Sequence, residues 1–167
     1  AEPGAGFQVV AVGSERADAF GLERAERAGV PSFVVPMLAD RAEWDRRLTA
    51  AVAQFRPDLI VSAGFMKLVG PAFLARFGGR FINSHPALLP SFPGMHGVRD
   101  ALAAGVKVSG TTIFMVDEGV DTGHILAQRA VDVLPDDTEA TLHERIKVVE
   151  RELLVQVVNE LAKESNV

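Results

Sequence analysis

Apolar residues in this chain fall into short β-branched runs that alternate with stretches of helical spacing. Phe7–Val12 reads as a strand, and Gly13-Ser14 breaks it. Ala17–Ala28 reads as a helix that offers Phe20, Leu22 and Ala25 to a core and Glu23, Arg24, Glu26 and Arg27 to water, with Gly29 as its stop. Ser32–Val35 is a second strand, ended by Pro36. Asp40-Arg-Ala-Glu43 has the form of a capping box, and Trp44, Leu48, Val52 and Phe55 follow at helical spacing as core positions. Asp58–Ala63 is almost continuously apolar, as a strand covered on both faces would be. Pro71–Phe77 is a short helix with proline at its first position. A strand entered at Phe81-Ile82, a helix over Gly97–Ala104 and strands at Val108–Val116 and Ile125–Val133 follow, the last two close enough to pair. Asp136-Asp-Thr-Glu139 then opens a long helix with a buried stripe at Leu142, Ile146, Val149, Leu153, Val157 and Leu161. Strands alternating with helices predict an α/β fold, Rossmann-like, with a mostly parallel twisted sheet and helices on both faces. One domain over residues 1–167 is expected.

Composition narrows the function classes. The chain has 167 residues, 48% of them hydrophobic, so a full core is affordable. The net charge is −5 and there is no basic run, which argues against nucleic acid as a partner. With no cysteine, a disulfide framework, a thiolate nucleophile and a cysteine-type zinc site are excluded, and a cytoplasmic setting is expected. No apolar run reaches membrane-spanning length, so no membrane role is expected.

The densest chemistry lies in Arg80–Gly94. In a strand, Asn83 and His85 point to the same face, roughly 7 Å apart. Pro86 ends the ladder, leaving an amide and an imidazole at the carboxyl end of a strand, where open α/β sheets bind ligands. An imidazole moves protons near neutral pH, and a carboxamide donates to a developing oxyanion. Together they suit acyl chemistry without a covalent nucleophile; an Asn and a His that merely cap loop backbone are the plain structural alternative. Two further loops follow apolar strands: Gly64–Gly70, whose glycines allow sharp turns or close approach to a ligand, and Asp117–Gly123, whose Asp121 is a candidate partner for His85. His96 is either a second site histidine or a helix cap; with His85 and Asp121 it imitates a metal triad, without a tight ligand spacing. His124 and His143 read as surface residues. Neither a G-x-S-x-G elbow nor a G-x-G-x-x-G loop after the first strand is present.

Four segments carry a resemblance: Ala63-Gly-Phe-Met-Lys-Leu-Val69, Asn83-Ser-His-Pro-Ala-Leu-Leu-Pro90, Gly110-Thr-Thr and Asp121-Thr-Gly-His-Ile-Leu-Ala-Gln128. From about Phe7 to Leu161 the chain resembles the folate-dependent formyltransferase family, and within it the phosphoribosylglycinamide formyltransferase branch. The resemblance implies transfer of a formyl group from the co-substrate 10-formyltetrahydrofolate to glycinamide ribonucleotide in purine synthesis, with no metal, in a monomer or homodimer. It implies that Asn83, His85 and Asp121 are catalytic. It places Met66, Lys67, Leu68 and Val69 and the backbone of Val116, Asp117, Glu118, Gly119 and Val120 on the folate, and Arg41, Gly64, Pro86, Lys147 and Glu150 on the ribonucleotide. Read from the residues alone, Arg41 is a surface charge and Lys147/Glu150 an exposed i,i+3 helix pair. Phe114 departs from the resemblance, standing where relatives carry histidine. Phe7–Val12 matches the second strand of the family, so the resemblance further implies that the first strand and its phosphate-holding glycine loop are absent. A formyltetrahydrofolate hydrolase, a methionyl-tRNA formyltransferase and a non-catalytic folate-binding module are the competing readings.

Overall fold

The computed structural model describes residues 6–164. They form two compact units, one of the residues up to Ile60 with Lys67–Arg80, the other of Val61–Met66 with the residues from Phe81 onward.

In the first unit, β1 (Val12–Ser14) pairs in parallel with β2 (Ser32–Val34), with α1 (Phe20–Arg27) between them in sequence. The strand expected at Phe7–Val12 therefore lies further along the chain, and Gly13 sits inside it instead of breaking it. The reason is Phe33, which faces Gly13 across the pair. A Cβ on Gly13 would lie 2.3 Å from the tip of the Phe33 ring, so glycine gives that ring its seat. Phe33 also stacks on Phe55 at 5.4 Å. The helix expected from Ala17 starts at Phe20, and Phe20, expected in the core, is 63% exposed. It sits roughly 140° around the helix axis from Ala25, so so short a helix cannot bury both; Ala25 is the buried one.

The helix α2 (Arg41–Ala53) opens as its capping sequence predicts, with the Asp40 carboxylate accepting from Glu43 N at 3.0 Å. Trp44 is fully buried and its indole N–H donates to Val35 O at 3.1 Å. Beside it Asp45 is also buried, at 3% exposure. Its two oxygens accept from Gly70 N and Ala72 N, each at 2.8 Å, at the start of α3 (Pro71–Phe77). A carboxylate from one helix thus caps the amino end of another, satisfying N–H groups that have no partner in their own helix. Asp45→Ala is expected to destabilise the protein by about 3 kcal/mol, because two bonds to a buried charge are lost. Asp45→Asn, which keeps one acceptor, should lose less; urea denaturation of the two variants measures the difference.

Apart from Ile60, which is counted with the first unit, the second unit holds a four-stranded sheet in the order β3 (Ile60–Ser62), β4 (Phe81–His85), β5 (Val108–Met115), β6 (Ile125–Asp132), with α4 (Gly97–Ala103) and α5 (Glu139–Glu164). In this sheet β5 runs antiparallel to both β4 and β6. The short loop between β5 and β6 permits only that arrangement, because parallel neighbours need a crossover. Phe81, Ile82, Ile113 and Phe114 are buried on these strands, and Leu142, Ile146, Leu153 and Val157 on α5, close to the expected stripe.

The start of α5 is tied down twice. Thr138 Oγ1 accepts from Thr141 N at 3.2 Å, and Thr141 Oγ1 accepts from Thr138 N at 2.9 Å, a reciprocal cap. Just before it, Asp137, whose side chain is only 2% exposed, takes both arms of the Arg145 guanidinium at 2.7 and 2.6 Å and Leu134 N at 2.7 Å. The Arg145 bonds, foremost, hold the Asp137 carboxyl well below the usual carboxylate range. A lowered native pKa stabilises the fold above the unfolded value near 4, and that contribution is lost as pH falls. The urea midpoint should therefore drop between about pH 5 and about pH 2. Asp137→Asn should be less stable at neutral pH and show a shallower drop over the same range.

Candidate active site

The site is built at the end of β4. Strand alternation puts Asn83 and His85 on one face, opposite Phe114 and Thr112 of β5. The Asn83 carboxamide oxygen accepts from Ser84 N at 2.8 Å. Its N–H₂ group is left as a donor with no partner among the described residues. His85 is buried, at 4% exposure. Its Nε2 lies 2.6 Å from Phe92 O and its Nδ1 3.4 Å from an Asp121 oxygen. A carbonyl only accepts, so Nε2 carries the proton of that bond, and Nδ1 faces the Asp121 carboxylate. Asp121 is fixed from its other side by Gly94 N, which donates to the same oxygen at 2.7 Å.

The loop after β4 has to fold back for this to happen, and β5 and β6 hold it there. Thr112 Oγ1 donates to Ala87 O at 2.8 Å and accepts from Leu89 N at 3.0 Å. The Gln128 amide donates to Leu89 O at 2.7 Å and to Thr112 Oγ1 at 3.0 Å. Phe92 itself has a φ of 54°, a conformation that a bulky residue rarely adopts, and in it the Phe92 carbonyl meets His85. Gly97 backs the ring: a Cβ there would lie 2.9 Å from His85 Nε2. In the loop between β5 and β6, Asp117 accepts from Gly119 N at 2.9 Å and Thr122 Oγ1 at 2.7 Å. Asp121 sits there with a φ of 54°, which a short polar side chain tolerates.

The structure thus brings Asn83, His85 and Asp121 into one unit, with Pro86 directly after the histidine. His96 occupies the N-cap position of α4, makes no side-chain cap bond and is exposed. Among the described residues no three acidic or histidine side chains gather to hold a metal ion, so the His85/His96/Asp121 triad does not form. Glu150 does not pair with Lys147, which bonds Glu144; the Glu150 carboxylate instead meets Thr111 Oγ1 at 3.2 Å. Arg41 is more than a surface charge: its guanidinium lies 4.6 Å over the Trp44 ring and donates to Leu68 O at 2.8 Å. That bond fixes one point of the Gly64–Gly70 loop, in which Met66 and Leu68 are 59% and 62% exposed. Val116 is half-buried, while Asp117, Glu118 and Val120 are exposed. Sequence reasoning missed Gly97, Thr111, Thr112 and the Phe92 carbonyl as site residues. The threonines lay in the Gly110-Thr-Thr signature, but nothing in the sequence tells which backbone atom a hydroxyl will reach.

A model of the formyl transferase family matches residues 2–158, a span that covers both units. This chain belongs to the formyl transferase family. Its relatives include a phosphoribosylglycinamide formyltransferase of Mycobacterium tuberculosis, 60% identical over 158 residues, 93% of this chain and 73% of that protein. Among solved structures, the phosphoribosylglycinamide formyltransferase of Streptococcus pneumoniae matches with a TM-score of 0.89 and 42% identity, over 93% of this chain and 88% of the other. Glycinamide ribonucleotide transformylase 1 of Symbiobacterium toebii matches with a TM-score of 0.92 and 41% identity, over 94% and 75%. The formyl transferase assignment agrees with the fold expected from the sequence and gives the clustered amide, imidazole and carboxylate a chemical context.

The seat of the imidazole is testable on its own. In Gly97→Ala the new methyl must displace His85, and a misplacement of about 1 Å at a reacting centre costs about 100-fold in rate. Turnover should fall by that order while the thermal midpoint changes little.

Proposed function

We infer that this chain transfers a formyl group from 10-formyltetrahydrofolate to the amine of glycinamide ribonucleotide, a step of purine biosynthesis. The observation that carries the reading is the convergence of Asn83, His85 and Asp121 at the end of β4 in a formyl transferase. The 60% identity to a protein named for this reaction supports the choice of acceptor.

In this reading the acceptor amine attacks the formyl carbon and a C–N bond forms. The carbonyl electrons move to oxygen, where the Asn83 N–H₂ and the protonated His85 donate. Collapse of the intermediate breaks the bond to the folate nitrogen, and the proton lost by the amine ends on that nitrogen, relayed by way of Asp121. The Nδ1–Asp121 separation of 3.4 Å is longer than a good hydrogen bond, which supports Nδ1 as the edge that turns to the substrate. Bringing the two substrates together is worth up to about 7–11 kcal/mol, and one oxyanion donor about 3 kcal/mol. Positioning is therefore the larger contribution.

The remaining assignments are part of the same proposal. Met66, Lys67, Leu68 and Val69, with the backbone of Val116, Asp117, Glu118, Gly119 and Val120, are read as folate contacts, supported by the exposed apolar surface of Met66 and Leu68. Arg41, Gly64, Pro86, Lys147 and Glu150 are read as ribonucleotide contacts. Residues 1–167 act as one domain in the cytoplasm, as a monomer or homodimer. Among the described residues no helix is long and apolar enough to cross a membrane.

Asn83→Ala is expected to lower kcat about 100- to 1,000-fold, the range for loss of one oxyanion donor. His85→Ala should lower it at least as far. Steady-state kinetics with both substrates decide the point, and an Asn83→Ala enzyme within about tenfold of the parent would remove the amide from the mechanism.

A further inference from the structure

Thr111 is fully buried on β5, one residue from the Thr112 that holds the site loop. The pleat turns the two side chains to opposite faces, so Thr111 points away from the face that carries the imidazole. Its hydroxyl lies 3.2 Å from His85 O and 3.2 Å from a Glu150 carboxylate oxygen on α5. A hydroxyl has one proton to donate. Two acceptors at equal distance compete for it, and bonds to charged acceptors are the stronger. With Glu150 ionised and otherwise unoccupied, the proton belongs to the carboxylate. A carboxylate has lone pairs to spare, so donors of a ligand join the hydroxyl at Glu150 without displacing it, and the hydroxyl stays as the bridge between that carboxylate and His85 O.

We propose that Thr111 is a positioning residue: its hydroxyl orients Glu150 toward the acceptor substrate and couples occupancy of that carboxylate to the backbone of His85. The inference rests on the reading of Glu150 as an acceptor contact and of His85 as catalytic. The ligand group concerned is a donor, a ribose hydroxyl or an amine of the ribonucleotide. The folate co-substrate has no part in the coupling.

Thr111→Val keeps the shape and removes the hydroxyl. It should raise the acceptor KM about tenfold and lower kcat about threefold, with the folate KM within about twofold of the parent. Thr111→Ser restores the hydroxyl and should return both constants to near parent values. In a Glu150→Gln background, Thr111→Val should change the acceptor KM by less than about twofold, because the effect runs through the carboxylate. The proposal is overturned if Thr111→Val leaves acceptor KM unchanged, if Thr111→Ser is as impaired as valine, or if the two substitutions multiply independently. A merely structural role predicts matched losses in both KM values and a lowered thermal midpoint, which serine would not repair. His85→Ala separates the two levels. If that variant is inactive and Thr111→Val is normal, the coupling alone falls; if it turns over normally, the catalytic reading falls and takes the coupling with it.

Discussion

The hydrogen bond between His85 Nε2 and Phe92 O is the constraint around which the site is arranged. A buried imidazole needs partners for both nitrogens, and here a backbone carbonyl supplies one of them. To deliver that carbonyl the chain must reverse within a few residues of β4. Phe92 takes a left-handed backbone conformation to do it, and Gly97 leaves out the side chain that would occupy the ring's place. The Thr112 and Gln128 bonds then fasten the reversed loop to the sheet. Backbone strain at Phe92 is of the order of 1–3 kcal/mol, and four side-chain bonds to the loop and its anchors outweigh it.

A histidine seated in this way has little freedom. Its Nε2 edge is committed to structure, and its Nδ1 edge faces Asp121, which Gly94 holds in place. The two edges of the ring differ: one nitrogen fixes its orientation on a backbone carbonyl, and the other faces a carboxylate. Asn83 divides its amide similarly, with the oxygen bound to the backbone N–H of Ser84 and the N–H₂ without a partner among the described residues. Both side chains are thereby preorganised before any substrate arrives, which is where electrostatic stabilisation of a developing oxyanion gains most.

Much of this was legible in the sequence because it depends on short-range rules. Asn83 and His85 share a face by strand alternation, Asp40 caps a helix three residues on, and α5 shows its stripe every three to four positions. What was not legible depends on long-range contact. Gly13 reads as a strand breaker until Phe33 is known to lie over it. Nothing in the sequence marks Asp45, whose contacts are the amides of Gly70 and Ala72, 25 and 27 residues away. Phe20 reads as core, yet its angular place on α1 turns it to water. Glu150 reads as the partner of Lys147, and only the packing of α5 on β5 shows that it meets Thr111 instead.

A site that moves a formyl group between two small molecules held in place must consume both together. Its most direct test follows folate product formation from 10-formyltetrahydrofolate with and without glycinamide ribonucleotide, measuring tetrahydrofolate, formate and formylated ribonucleotide together. Tetrahydrofolate and formylated ribonucleotide are expected in equal amounts, with negligible turnover when the amine is left out. Formate released at the same rate in the absence of the amine would contradict it, and would make this formyl transferase relative a hydrolase.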